Sequence, residues 1–283
     1  MSKIKVAELF YSIQGEGRYM GVPSVFLRTF GCNFSCAGFG MPRGEKSTEA
    51  DALTTLAHTF TRYEDLPLVS TGCDSYASWH PDFKHLSPVL ETDAIAERVI
   101  DLLPHKQWRN EHLVITGGEP LLGWQRAYPD LLDHASMKGL RDLTFETNGT
   151  QYLSSHFKEY LKNWGTIERP WGSITFSVSP KLSVSGESHS EAIKPELVAS
   201  YEDVGYTYLK FGVATEEDAE EALAATEEYR RADFMGPVYL MPVGGVETVY
   251  SLNNRRVAEL AMKMGLRYSD RLQVPLFKNA WGT

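Results

Sequence analysis

Only three cysteines occur in 283 residues: Cys32, Cys36 and Cys73. Three is too few and too odd a number for a disulfide framework, and cytosolic thiols stay reduced, so a stapled secreted scaffold is excluded. Long hydrophobic runs are missing too. No stretch reaches the roughly 18 uninterrupted apolar residues of a membrane helix, and the opening MSKIKVAELF lacks the charged, apolar, small-residue order of a secretory leader. The expected location is cytoplasmic, with no membrane partner. Basic charge is in deficit, 28 Lys and Arg against 37 Asp and Glu for a net charge of −9. That field repels polyanions and argues against direct nucleic-acid binding. There is no internal repeat or low-complexity tract, and a hydrophobic content of 42% rules out collagen, coiled coil and wholesale disorder. A globular chain with a small-molecule site is what these absences leave.

Apolar, β-rich runs recur at 24–30, 112–116, 142–147, 173–178, 206–213 and 237–241. Helical patterns fall between many of them. Residues 91–103 place Ile95, Val99, Leu102 and Leu103 on one face, and Pro104 ends the pattern. Thr215 is a plausible N-cap, with Glu216, Glu217 and Asp218 where negative charge meets the positive end of a helix dipole. Residues 251–264 form a third helix, stopped by Gly265. Alternating strands and helices predict a parallel α/β sheet whose ligands gather at the carboxyl ends of the strands. Two segments break the rhythm. Residues 37–72 read as an insertion with a short helix at 49–61, and residues 181–194 as a mobile loop or lid.

The chemistry-bearing words sit where strands end. Gly31-Cys32-Asn33-Phe34-Ser35-Cys36 follows the first run, and its two thiolates can converge on one centre. Cys73 is the remaining thiol. Three thiolates on a four-iron, four-sulfur (4Fe-4S) cluster leave one iron open to a small molecule, whereas the same three with His80 make a closed zinc site. Burial as small apolar residues is the plain alternative. Thr116-Gly117-Gly118-Glu119-Pro120 follows the second run. Its glycines permit close approach of a ligand to the backbone and its carboxylate can hold an ammonium; a simple strand-to-helix turn is the alternative.

Together these words resemble the radical S-adenosylmethionine (SAM) superfamily, and within it the 7-carboxy-7-deazaguanine synthases. The superfamily spaces its cysteines three and then two residues apart. Here Phe39 stands at the third position, and Cys73-Asp74-Ser75 resembles the family's Cys-Asp-Thr displaced by the insertion, a detour whose closure entropy grows only as the logarithm of its length. Phe10-Tyr11-Ser12-Ile13-Gln14-Gly15-Glu16-Gly17 resembles the family's opening, Glu146-Thr147-Asn148-Gly149 its Glu-Thr-Asn-Gly, and Ser179-Pro180-Lys181 its Ser-Pro-Lys. The resemblance implies a partial, open (β/α)6-type barrel of the radical SAM kind, a single domain over 1–283 with the insertion at 37–72.

It also implies the conversion of 6-carboxy-5,6,7,8-tetrahydropterin to 7-carboxy-7-deazaguanine with release of ammonia, by a homodimer that takes electrons from an external flavodoxin-like donor. Cys32, Cys36 and Cys73 would hold the cluster. SAM would lie against Asp74, Gly118, Glu119, Glu146, Asn148, Ser179, Pro180 and Lys181, and Ser75 would hold Mg2+. Substrate would contact Ile13, Gln14, Gly15, Arg28, Thr116 and Thr283. In the tail, Pro275 and Phe277 stand where the family has Gln and His, so those contacts do not transfer. Two other readings remain open: a small activase that installs a glycyl radical on a partner, and a non-catalytic zinc module. The position of the insertion between cluster ligands suggests a cap over the cluster.

Overall fold

The computed structural model describes residues 2–164 and 172–283. The elements run β1 (Lys3–Ile13), β2 (Pro23–Thr29), α1 (Glu49–Leu53), β3 (Val89–Glu91), α2 (Thr92–Leu102), β4 (His112–Gly117), α3 (Tyr128–Leu132), β5 (Asp142–Thr147) and α4 (Ser155–Asn163). There follow β6 (Ser173–Val178), α5 (His189–Ala192), α6 (Pro195–Ala199), β7 (Tyr206–Val213), α7 (Glu216–Arg231), β8 (Val238–Pro242), α8 (Glu247–Met264), β9 (Arg267–Tyr268) and α9 (Gln273–Phe277). The strands form one sheet in the order β3-β1-β2-β4-β5-β6-β7-β8-β9. β1 is antiparallel to both its neighbours, and from β2 to β9 all pairings are parallel. Its two outer strands, β3 and β9, do not pair with each other, so the sheet curves as a partial (β/α) barrel.

Period-two alternation gives this sheet two unlike faces. Leu27, Ile115, Phe145, Phe176 and Phe211 point outward into the main apolar core, where they meet Ile95 and Val99 of α2, Phe157 and Leu161 of α4 and Ala219 and Ala222 of α7. The residues next to them in the chain, Phe26, Arg28, Thr116, Glu146, Ser177 and Lys210, line the concave face. Helices cover one side of the sheet, and the polar side is left for a ligand.

The expected α7 cap is present: the Thr215 hydroxyl accepts from the Asp218 amide at 3.2 Å and the Asp218 carboxylate accepts from the Thr215 amide at 2.9 Å. α8 begins at Glu247, about a turn before the expected start, and Gly265 closes it at φ +66. β1 escaped the sequence reading. Its register shifts between Val6 and Glu8, and this bulge turns a carboxylate inward from a strand whose apolar alternation it interrupts.

The insertion returns to where it left. The Gly72 amide donates to Phe39 O at 2.7 Å, the Ser47 amide to Ala37 O at 2.7 Å, and the Glu49 carboxylate accepts from the Ser70 amide (2.7 Å) and the Thr71 hydroxyl (2.7 Å). Beyond this neck, α1 and a 3-10 turn over Thr54–Thr59 replace the single helix expected at 49–61. Ala57, Tyr63, Leu66 and Val69 build a second, smaller core with Ala7, Tyr76, Ala77 and Phe83. Nor is 181–194 a detached lid: Leu182, Ser185, Ala192 and Ile193 are buried, and Glu187 is bonded into the cysteine loop.

Candidate active site

One cavity of about 270 Å³ occupies the concave face at the carboxyl ends of the strands. The loop after β2 brings Cys32 and Cys36 to its wall, and the neck of the insertion brings Cys73. All three pack with Phe34, Phe39 and Ala192. Cys36 takes a left-handed conformation, φ +49, that a residue with a Cβ adopts only when held. The holding group is Glu187, whose Oε1 accepts from the Cys36 amide at 2.7 Å and the Ser35 amide at 2.9 Å. Burial pushes the Cys32 thiol up to about 12 and those of Cys36 and Cys73 above their ordinary range, so cationic compensation is needed before these groups ionise.

Among the described residues, no three His, Cys, Asp or Glu side chains converge as one metal ion requires. A multi-iron cluster spreads its thiolates more widely, and three thiols on one cavity, Cys36 buried and Cys32 and Cys73 half-buried, are the donor chemistry such a cluster takes. His80 does not join them. Its Nε2 meets Asp51 Oδ1 at 3.3 Å and its Nδ1 accepts from the Asp82 amide at 3.3 Å, so the four-ligand zinc site lacks its fourth ligand.

The two glycines at the end of β4 also serve close approaches within the fold. A Cβ on Gly117 would fall 2.3 Å from Thr29 O, and one on Gly118 would fall 2.4 Å from Gly31 O and 2.8 Å from Cys32 Cβ. Gly117 admits the end of β2, and Gly118 admits the cysteine loop. Thr116, Gly117 and Gly118 line the cavity, but Glu119 does not. Its buried carboxylate accepts from the Asn148 amide (2.6 Å), the Thr147 hydroxyl (2.7 Å) and the Leu121 amide (3.0 Å), tying β4 to β5. Burial raises Glu119 to about 7 against the pull of those donors.

Asn148 lines the cavity and donates to Asn33 Oδ1 at 2.9 Å, so the end of β5 also supports the cysteine loop. Ser179 and Lys181 face the cavity, with Lys181 Nζ 3.1 Å from Ser179 Oγ. Pro180 between them is buried and is not part of the lining.

On the opposite side, Ile13, Gln14, Gly15, Arg28, Asp74, Ser75, Glu146 and Thr283 all reach the same cavity. Gln14 Nε2 donates to Glu146 at 3.1 Å, and Arg28 Nη1 to Ser75 Oγ at 3.1 Å. Gly15 makes room for the Gln273 side chain: a Cβ there would fall 1.8 Å from Gln273 Oε1 and displace it.

Sequence reasoning missed a network of buried charge. Arg28 pairs with Glu8 at 2.7 Å. Glu16 binds Lys210, Arg271 (3.2 Å) and Gln273 (2.8 Å), and Arg271 continues to Asp74 at 2.5 Å. Burial alone would raise Glu16, but Lys210 and Arg271 override it and hold the carboxyl at about 2. Arg271 likewise overrides burial to depress Asp74. A lone charge within the apolar run 208–211 was the available signal for Lys210. Nothing local marked Arg271. Pro275 and Phe277, the tail positions singled out from sequence, are absent from the lining, where Arg271 and Gln273 stand instead; Phe277 is 37% exposed.

An open (β/α) barrel whose first parallel strand runs into a cysteine loop, with a third thiol brought beside it over a polar cavity, defines a radical SAM enzyme. Sequence comparison narrows the class. The chain is 31% identical to the 7-carboxy-7-deazaguanine synthase of Halobacterium salinarum, covering 98% of this chain and 91% of the relative. It is 25% identical to the synthase of Pyrobaculum aerophilum, covering 99% and 97%. In fold it is similar to the crystal structure of QueE from Escherichia coli, with a TM-score of 0.53 and 20% identity over 95% of this chain and 94% of that one. No protein-family model matches the chain. The chain belongs to the 7-carboxy-7-deazaguanine synthase family.

Proposed function

We propose that the protein converts 6-carboxy-5,6,7,8-tetrahydropterin to 7-carboxy-7-deazaguanine with release of ammonia, as a radical SAM lyase of deazapurine biosynthesis. The observation that carries this reading is the meeting, in one cavity, of three cysteine thiols with a charge-paired polar wall. When bound, the 4Fe-4S cluster and SAM supply a carbon-centred radical able to remove hydrogen from an unactivated carbon. The chain's own groups hold, orient and shield.

Cys32, Cys36 and Cys73 hold the cluster in this reading. Gly118, Asn148, Ser179 and Lys181, with Asp74 and Glu146, form the SAM side of the cavity, while Glu119 and Pro180 shape its backbone from behind. Arg28 can fork onto the substrate carboxylate beside Ser75, whose hydroxyl is a hard ligand suited to Mg2+. Gln14, with the backbone of Ile13 and Gly15, faces the donor and acceptor edge of the pterin, and Thr116 and Thr283 complete its surroundings. The stacked Phe10–Phe26 pair, 4.9 Å between centroids, presents an apolar surface to the same cavity. An external flavodoxin-like donor, a homodimeric assembly, a single domain over 1–283 carrying the insertion, and a cytoplasmic location complete the proposal. No helix among the described residues is long and apolar enough to cross a membrane.

The test is anaerobic reconstitution of wild type and Cys73→Ala with iron and sulfide, then incubation with SAM and carboxytetrahydropterin. Wild type is expected to hold an intact cluster and release the deazaguanine, and Cys73→Ala to do neither. A cluster-loaded wild type that cleaves SAM but leaves the pterin untouched overturns the substrate assignment and returns the activase to consideration. Full iron content in Cys73→Ala overturns the third ligand.

A further inference from the structure

Most of the insertion faces away from the cysteines. Only Phe39, Ser70 and Gly72 of it line the cavity, and its small core is turned toward β1 and the tail segment 279–283. The Trp281 ring sits 5.5 Å from Tyr63 of the insertion and 5.7 Å from Tyr76 just beyond it, and Phe83 backs Tyr76 edge-on at 5.2 Å. The seat itself is held from behind. The Tyr63 hydroxyl donates to Ala77 O at 2.9 Å and lies 2.7 Å from Ser87 Oγ, and the Tyr76 hydroxyl donates to Pro67 O at 2.9 Å.

On the other side of the Trp281 anchor, residues 279–283 form part of the cavity wall. The Gly282 backbone lies beside the Glu8 carboxylate and opposes the upward push of burial on it, Glu8 pairs with Arg28 at 2.7 Å, and Arg28 reaches Ser75 at 3.1 Å. A continuous set of contacts therefore runs from Tyr63 through Trp281 and Gly282 to Arg28.

We infer that the insertion is a seat for the tail: Tyr63 and Tyr76 grip Trp281, and this grip positions residues 279–283 and the Glu8–Arg28 pair as the substrate-facing wall. Trp281 and Tyr63 are thus positioning residues for substrate, and the cysteines are held separately, by the Phe39–Gly72 neck and by Glu187. The substrate part of this inference rests on the reading given under Proposed function; the seat does not.

The experiment compares wild type with Trp281→Ala, Trp281→Phe, Tyr63→Leu and the Trp281→Ala/Tyr63→Leu double variant, all reconstituted anaerobically. Hydrogen exchange of the peptide covering 274–283 is read by mass spectrometry, alongside iron and sulfide content, SAM affinity, and KM and kcat for carboxytetrahydropterin. In Trp281→Ala the tail amides are expected to exchange about tenfold faster, because aromatic contacts set the local opening equilibrium. KM should rise about tenfold or more as the wall loses its placement, with iron content and SAM affinity unchanged. Trp281→Phe should restore most of the protection, and the double variant should be little worse than Trp281→Ala, since both remove one interaction.

Unchanged tail exchange in both Trp281→Ala and Tyr63→Leu overturns the seat. Faster exchange with an unaltered KM overturns its role toward substrate, and iron lost in parallel with KM shows the tail serving the cluster instead. Should cluster-loaded wild type fail to act on the pterin at all, the functional reading falls, and hydrogen exchange still decides the seat by itself.

Discussion

The two walls of the cavity are built by different physics. The strand wall is a parallel sheet whose outward side chains, among them Phe145, Phe176 and Phe211, are wholly buried under α2, α4 and α7; hydrogen-bonded register sets the height of every inward group. The facing wall is assembled from pieces far apart in the chain: Glu16 just after β1, Asp74 after the insertion, Arg271 and Gln273 from the tail. Buried ion pairs and a small aromatic cluster join these pieces. A sheet supplies position through backbone geometry that almost any apolar sequence can maintain, whereas the assembled wall depends on particular side chains meeting. The strand wall therefore tolerates change at its surface but not in its core, and the assembled wall is sensitive at single polar residues.

Truncation in the strand core should give the largest effect. Phe145→Ala removes a ring packed against Tyr128, Phe157 and Phe176 at 5.6, 5.8 and 5.7 Å, and is expected to lower the stability measured by chemical denaturation by about 4 kcal/mol, in one cooperative transition. A transition that splits in two would mean the walls unfold separately.

Glu16→Gln strikes the junction of the walls and leaves Lys210 and Arg271 without their shared carboxylate, for an expected loss of about 3 kcal/mol. The pH dependence carries the same information. Because Glu16 is held at about 2 against an ordinary 4.5, its stabilisation is complete above about 4.5 and is lost as pH falls towards 2. Denaturation midpoints across that interval should fall less steeply in Glu16→Gln than in wild type; parallel acid limbs would show that the network does not stabilise the fold.

Next comes Glu119→Gln. It replaces one of the two oxygens that accept from three donors with an NH2 that must face a donor, with an expected loss of about 2 kcal/mol by the same denaturation assay. The smallest effect belongs to Glu49→Ala at the neck of the insertion, about 1 kcal/mol. Hydrogen exchange should register it as opening of residues 47–72 alone, with the global midpoint hardly moved; a large global shift would show that the insertion is integral to the barrel.

The strand wall was legible beforehand. Six of its strands, the Thr215 cap and the Gly265 stop follow from local periodicity and capping chemistry. The cysteine loop, Gly-Gly-Glu-Pro and Ser-Pro-Lys words stand at strand ends, where short-range sequence reads clearly. Much of the assembled wall was not legible. Arg271 lies in a tail whose family-matched positions, Pro275 and Phe277, are outside the cavity lining. Glu187 sits in a segment rich in Ser, Glu and His that reads as loose, yet its carboxylate holds the backbone of Cys36. Glu8 faces inward only because β1 carries a bulge. In each case the partner is remote in sequence, and no local pattern encodes a remote partner.

The sequence by itself determined the alternation of strands and helices and the chemistry-bearing words at strand ends, because periodicity, caps and strand-end motifs are set by residues a few positions apart; the open barrel followed from the family those words resemble. Only the tertiary structure decided that Gly118 makes room for the cysteine loop, that Cys73 returns through a closed neck to the cavity that Cys32 and Cys36 line, and that Lys210 and Arg271 together balance Glu16 and Asp74 there. The physical reason is that close approach and buried charge pairing are properties of positions in space, settled when packing brings together segments that share no local code.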